Sequence, residues 1–221
     1  MNITQEELKN ILLKHTIWLK NGKGGQCADL AGANLAGANL AKANLVRANL
    51  VRANLSEANL YDARLTGADL TEANLSRANL TRAYLARVDF ACANFSEANL
   101  TDANLVRANL SEANLTGANL SGINLSNADL SNTNLSGAIL TDAVLARADL
   151  TDSILVRADL TRAYLARADL YEADLTLADL TETNLTGANL SEANLTDADV
   201  TSAKLINADL TDITWIDGTK K

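Results

Sequence analysis

From Leu30 onward an apolar residue stands at every fifth position. It is the centre of an A-[N/D]-L-x-x quintet repeated 38 times, from Ala28 to Asp217, with no insertion or deletion. An α-helix turns about 100° per residue, so a step of five displaces each leucine by about 140° and smears the apolar set around the cylinder. On a straight strand side chains alternate, and an odd step sends successive leucines to opposite faces. Neither element buries this set. A chain that turns a corner in every quintet does, because each short side then presents its leucine, and the small residue two positions earlier, to a shared interior. Of the 38 first positions, 32 are alanine, and the exceptions are Val88, Ile123, Thr133, Ser153, Thr183 and Ile213. The central leucine gives way only to Phe90, Phe95, Val200 and Trp215. Aromatics are 4% of the chain and proline is absent, so the predicted interior is aliphatic and small.

The number of sides follows from a longer echo. TRAYLARVDF at 81–90 returns as TRAYLARADL at 161–170, and the separation of 80 divides by 20 but not by 15 or 25. Sorting outward positions into columns of 20 also brings like residues together, with Arg47, Arg87, Arg107, Arg147 and Arg167 in one column. Four sides per coil is therefore expected. Stacked at the strand spacing of about 4.8 Å, some nine coils would make a rod roughly 45 Å long.

The run ADLAGANLAGANLAKANL at 28–45 resembles the pentapeptide repeat family. The resemblance extends over about 85% of the chain. It implies an all-β fold, a right-handed quadrilateral β-helix with the central Leu or Phe and the preceding small residue pointing inward. It implies little about role, since members of the family differ in function. Repeats of the ANL type abound in cyanobacterial members, so the resemblance also implies that origin.

Three segments are expected: a capping helix and glycine-rich linker at 1–27, the β-helix at 28–217 and a tail at 218–221. In the first, Thr4 and Glu7 have the spacing of a capping box. Leu8, Ile11, Leu12, His15 and Leu19 then recur at helical spacing with Trp18 beside them, and Gly22, Gly24 and Gly25 end the run. A helix over 4–20 is predicted to cover Leu30 and Leu35 and to blunt the first edge. The far end has no such segment. Either Trp215 plugs the last coil, with Asp217, Lys220 and Lys221 discouraging stacking, or two molecules join end to end there; monomer and dimer both stay open.

An uninterrupted repeat with a filled interior leaves no loop for a lid and no pocket for perturbed groups. No phosphate loop, zinc spacing or nucleophile elbow is present, and the one histidine, His15, lies in the capping segment. No catalytic, cofactor-binding or metal-binding residue is assigned, and the chain is expected not to be an enzyme. Cys27 and Cys92 are far apart and read as reduced thiols of a cytoplasmic protein. No run of 18 apolar residues suggests a membrane span.

Surface charge carries more information. The arginine column is followed two residues later by acids, as in Arg87 with Asp89, Arg147 with Asp149 and Arg167 with Asp169, each pair spanning a corner. Another column alternates in sign from Lys42 through Asp62, Arg82 and Asp102 to Asp142, Arg162 and Glu182. Opposite charges on successive coils are expected to lessen repulsion and fix register. The asparagines at 34, 54, 74, 94, 114 and 134 are expected to form an amide ladder. Residues 140–219 hold 15 acids against 5 bases, which disfavours direct nucleic-acid binding. Two readings result. The first is a rigid scaffold or protein-interaction rod with a protein partner and no membrane contact. The second, implied by resemblance to the fluoroquinolone-resistance members of the family, is a DNA mimic acting on a type II topoisomerase. Its acidic surface would be Asp152, Asp169, Glu172, Glu192, Asp209 and Asp212, with the arginine column along the edge of the same side.

Overall fold

The computed structural model describes residues 3–220. Helix α1 runs over Gln5–Leu19, one residue inside the predicted span at each end. Thr4 and Glu7 form the expected capping box: the Glu7 N–H donates to Thr4 Oγ1 at 3.2 Å and the Thr4 N–H to Glu7 Oε2 at 2.8 Å. Two of the orphan donors at the helix start are thereby satisfied. That bonding holds the Glu7 carboxyl below its usual value. Leu8, Ile11 and Leu12 pack against the first coil, and Leu30 and Leu35 are buried as a result. The linker then passes so close to the helix that a Cβ on Gly25 would lie 2.3 Å from the Trp18 nitrogen, so only glycine fits there.

From Asp29 the chain winds with a period of 20 residues. Parallel bridges join Asp29 to Asn49, Asn34 to Asn54, Asn39 to Asn59, Asn44 to Arg64, and so on to Asn194 with Thr214. Twenty residues per coil is four quintets, hence four walls. We number walls 1 to 4 from the quintets that begin at Ala28, Ala33, Ala38 and Ala43. Each wall is shorter than an ordinary strand, contributing one bridged residue per coil rather than a continuous ladder.

The quintet consensus has a physical reason at every position. The Leu115 N–H donates to the Asn134 carbonyl in the next coil at 2.7 Å, and the Asn114 N–H to the Ala93 carbonyl in the preceding one at 2.9 Å. The Ala118 N–H closes a turn onto the Leu115 carbonyl at 3.0 Å. The residue before that alanine is left-handed, with φ between +54° and +67° from Gly32 to Asp212. Glycine adopts that conformation freely, whereas Arg, Glu and Asp do so against a steric preference. The asparagine side chain stabilises the same turn: Asn114 Oδ1 accepts the Thr116 N–H at 3.1 Å and its hydroxyl at 2.7 Å. Its Nδ2 donates to Asn94 Oδ1 at 3.2 Å. The amide ladder links Asn34, Asn54, Asn74, Asn94 and Asn114 in this way. Asn134, placed in the ladder by its spacing, instead accepts from the Ser136 N–H and hydroxyl.

Inside, the inward alanines and leucines from Ala28 to Ala198 form one continuous core, buried except at Ala38 and Ala43, which are partly covered. Phe90 and Phe95 occupy adjacent walls of one coil and meet edge to face at 4.8 Å, so the two large substitutions fill a single layer together. Thr133, Ser153 and Thr183 stand in alanine positions. Their buried hydroxyls donate to the carbonyls of Leu130, Leu150 and Leu160 at 2.6, 2.6 and 2.8 Å, which offsets the cost of enclosing a polar group. The far end closes on itself. The Trp215 N–H donates to the Thr219 carbonyl at 2.8 Å, the Gly218 N–H to the Trp215 carbonyl at 2.8 Å, and Thr214 pairs antiparallel with Lys220. This reversal accompanies the half-buried Trp215 that the sequence offers as a plug; Val200, Leu205 and Leu210 beneath it stay only partly covered. Lys221 lies outside the described residues.

Candidate interaction surface

Among the described residues no group of His, Cys, Asp or Glu is placed to hold a metal ion, and no helix is long and apolar enough to cross a membrane. Both cysteines are free. Cys27 donates to the Arg47 carbonyl at 3.2 Å, and burial pushes its thiol up. Among the described residues the main concavities are shallow surface grooves, and the clearest pattern is on the walls. The pattern is electrostatic.

Wall 1 carries thirteen acidic side chains and one basic one, Arg52. Wall 4 carries seven basic side chains and no acid: Arg47, Arg64, Arg87, Arg107, Arg147, Arg167 and Lys204. Walls 2 and 3 mix the signs. The two walls of opposite charge adjoin, and the arginine column forms the corner between them. Sequence reading singled out that column without noticing that its whole wall lacks carboxylates; counting both signs wall by wall would have found it.

The ion pairs lie elsewhere. Arg52 meets Glu72 at 2.8 Å where walls 1 and 2 join, Arg77 meets Glu97 at 2.8 Å and Glu57 at 4.0 Å between walls 2 and 3, and Arg162 meets Asp142 at 2.7 Å between walls 3 and 4. Hydrogen bonding to Arg52 holds the Glu72 carboxyl below its usual value, and Arg162 does the same for Asp142. These pairs bear out the expectation that opposite charges stack coil on coil. The R-x-D pairs do not form. Asp89, Asp149 and Asp169 turn Oδ1 to the N–H groups of Ala91, Thr151 and Tyr171, the local turn that every quintet uses. An aspartate committed to its own turn does not reach across the corner, so among the described residues Arg87, Arg107, Arg147 and Arg167 make no ion pair. Arg47, the first of the column, lies 5.6 Å over the Trp18 ring of the cap.

The acidic residues gather as a complementary stripe. Asp152, Glu172, Glu192 and Asp212 occupy the corner of walls 1 and 2 in successive coils, all exposed, while Asp169 and Asp209 lie on wall 1 itself. Asp169 accepts from Asn189 Nδ2 at 2.8 Å. Asp209 accepts from the Thr211 hydroxyl and N–H at 2.7 and 3.0 Å, and those bonds lower its carboxyl from the usual value. The Tyr171 hydroxyl donates to Glu192 Oε1 at 3.1 Å, and Glu172 and Glu192 together push its ionisation up.

A coil of quintets whose walls differ in charge defines a solenoid that carries its variation on its outer surface. A family model of pentapeptide repeats matches it in eight copies over residues 28–67, 68–105, 103–142, 143–181 and 173–212, and the chain belongs to the pentapeptide repeat family. Members form right-handed quadrilateral β-helices, and the 20-residue bridge period gives this chain four quintets per turn. HetL, a pentapeptide repeat protein involved in heterocyst differentiation regulation in the cyanobacterium Nostoc sp. strain PCC 7120, is 32% identical, with 100% of each chain covered and a TM-score of 0.35. Rfr23 from the cyanobacterium Cyanothece 51142 is 33% identical over 63% of this chain and 99% of its own, with a TM-score of 0.46. QnrB1, a plasmid-mediated fluoroquinolone resistance protein, is 20% identical over 80% of this chain and 91% of its own, with a TM-score of 0.71, a likeness of fold. No curated protein matches the sequence.

Proposed function

We propose that the protein is a rigid, non-enzymatic interaction rod of the cytoplasm that presents its charged walls to a protein partner. The segregation of charge between walls 1 and 4 carries this reading. Alternating corners show that the repeat accommodates paired charges at no cost to its geometry, so same-sign walls are a feature the fold alone does not require. A photo-crosslinking amino acid placed singly at Asp169, Asn194, Asp179 or Tyr164 samples the four walls in extract of the source organism. One or two walls should give a discrete protein adduct. Equal, diffuse labelling of all four walls would contradict the reading.

The DNA-mimic reading draws its support from the stripe of Asp152, Glu172, Glu192 and Asp212. Wall 4 stands against it, because a duplex is anionic on all sides and this rod is basic along one. Its test is gyrase supercoiling with the protein and with a Glu172→Lys, Glu192→Lys, Asp212→Lys variant. Inhibition or protection by the unmodified protein that the variant loses would favour mimicry; equal behaviour of the two, or no effect, removes it.

A further inference from the structure

We propose that the arginine row at the corner of walls 4 and 1, formed by Arg87, Arg107, Arg147 and Arg167, docks an extended acidic segment of a partner protein. The inference rests on the interaction-rod reading and specifies where the partner sits and what chemistry it brings.

Two other corners of the same rod serve as internal comparisons. Between walls 2 and 3 the sequence of charges is Glu57, Arg77, Glu97, and between walls 3 and 4 it is Asp62, Arg82, Asp102, with the Arg77–Glu97 ion pair at the first corner and Arg162–Asp142 at the second. The row breaks that rule twice. Arg87 adjoins Arg107, and Arg147 adjoins Arg167, in consecutive coils, so like charges are stacked where opposite ones would be favourable. All four arginines are exposed, and all four are left-handed at φ of +58° to +61°, a conformation glycine would adopt without strain. Like charges are thus stacked here, as they are with the opposite sign for Asp152, Glu172, Glu192 and Asp212 at the corner of walls 1 and 2, and the four arginines have no ion pair among the described residues in return. A bound polyanion supplies the missing partners.

The shape of the wall selects a strand-like polypeptide. From Arg87 to Arg167 is four coils, about 19 Å at the inter-strand spacing, the length of about six extended residues. Beside the row, wall 4 is floored by small and flat groups. One shallow groove of about 380 Å³ is lined by Ala146, Arg147, Tyr164, Ala166, Arg167 and Asn184. Tyr84 and Tyr164, the wall's two tyrosines, are 49% and 44% exposed, and they stand beside Arg87 and Arg167 in the two copies of TRAYLAR. Arginine and tyrosine are among the residues enriched at the energetic centres of protein interfaces. Wall 1 borders the row and carries seven carboxylates from Asp89 to Glu172, so a nucleic-acid duplex, broader than one wall, would set its phosphates against them. A single acidic strand fits on the wall 4 side without meeting them.

The test uses the full chain and a fluorescein-labelled (Glu-Ala)5 peptide, with (Gln-Ala)5 as the neutral control and a ten-nucleotide single strand as the alternative polyanion. Binding is read by fluorescence anisotropy at 0.15 M salt. An Arg107→Gly, Arg147→Gly, Arg167→Gly variant is compared with an Arg52→Gly, Arg77→Gly, Arg157→Gly variant. Both lose the same charge at left-handed positions that tolerate glycine. The account expects the acidic peptide, and not the neutral one, to bind, with at least tenfold weakening in the first variant and less than twofold in the second. Equal weakening in both would show attraction to net charge alone and overturn the proposal, as would no binding of the acidic peptide. Tighter binding of the oligonucleotide, lost in the same variant, would assign the row to nucleic acid instead. If the row variant keeps its crosslinked partner through another wall, the rod reading stands and this inference falls.

Discussion

His15 takes the place of the coil that would precede Ala28. Its Nδ1 accepts the Ala28 N–H at 2.9 Å, a donor that in later quintets is satisfied by the leucine carbonyl three residues earlier. The ring is fully buried and stacks on Trp18 at 5.5 Å, with Nε2 enclosed and without a hydrogen-bond partner among the described residues. Burial lowers the imidazole from its ordinary value of 6.5, and the Val46 carbonyl, which favours the protonated ring, only partly opposes that. The neutral ring is therefore the folded form, and the unfolded chain binds the extra proton. Stability from this group is fully present above about pH 6.5 and declines as pH falls from there towards the lower folded-state value. Thermal melts from pH 8 to pH 5 should show the cap loosening first, and His15→Ala, which orphans a buried N–H, should cost about 1–3 kcal/mol at pH 8. A pH dependence unchanged by the substitution would refute the assignment.

Asn114 holds both its own turn and the coil before it. Alanine there removes the acceptor for Thr116 and the donor to Asn94, so denaturant unfolding should register a loss of about 1–2 kcal/mol. Aspartate retains the acceptor and should lose less. The order Asn, Asp, Ala in stability is the outcome to look for, and Asp below Ala would contradict it.

Leu115, 1% exposed, lies in the middle of the stack. Truncation to alanine should cost about 2–5 kcal/mol through lost transfer energy and the remaining cavity. Aspartate should cost more, because an unpaired charge in a dry interior adds several kcal/mol. Since each coil touches only its neighbours, Leu115→Asp should also uncouple the two halves of the rod and split one thermal transition into two. A single unshifted transition would mean that the leucine does not face inward.

Arg147 and Arg167 are predicted to trade stability for docking. Replacing each with glycine relieves left-handed strain and one like-charge contact, so each variant should gain about 0.5–1 kcal/mol despite glycine's greater freedom when unfolded. Calorimetry of the single and double variants measures this. Destabilisation by either change would mean that the arginines hold the corner together.

The fold was open to sequence reading because one period governs it. The fifth-residue leucine excludes a helix and a flat strand, and TRAYLAR at 81 and 161 sets the coil at 20 residues. Thr4 with Glu7 likewise announces the cap, a local motif with local physics. What stayed hidden was three-dimensional bookkeeping of side-chain atoms. Arg87 and Asp89 look like partners two residues apart, but the Asp89 oxygen is already taken by the Ala91 N–H. His15 reads as an ordinary core-facing residue until Ala28 is seen to lack a preceding coil. The turn at 215–219 depends on a reversal that the repeat pattern does not encode.

The four-walled coil is tested most directly by a distance. Spin labels on Arg64 and Asn184, both on wall 4 and 120 residues apart, are separated by six coils of 20. Pulsed dipolar spectroscopy should return a narrow distribution centred near 29 Å, six times the inter-strand spacing of about 4.8 Å, with some breadth from the label arms. A coil of 15 residues would put the labels eight coils apart, near 38 Å, and that distance, or a broad distribution without a peak, would contradict the account.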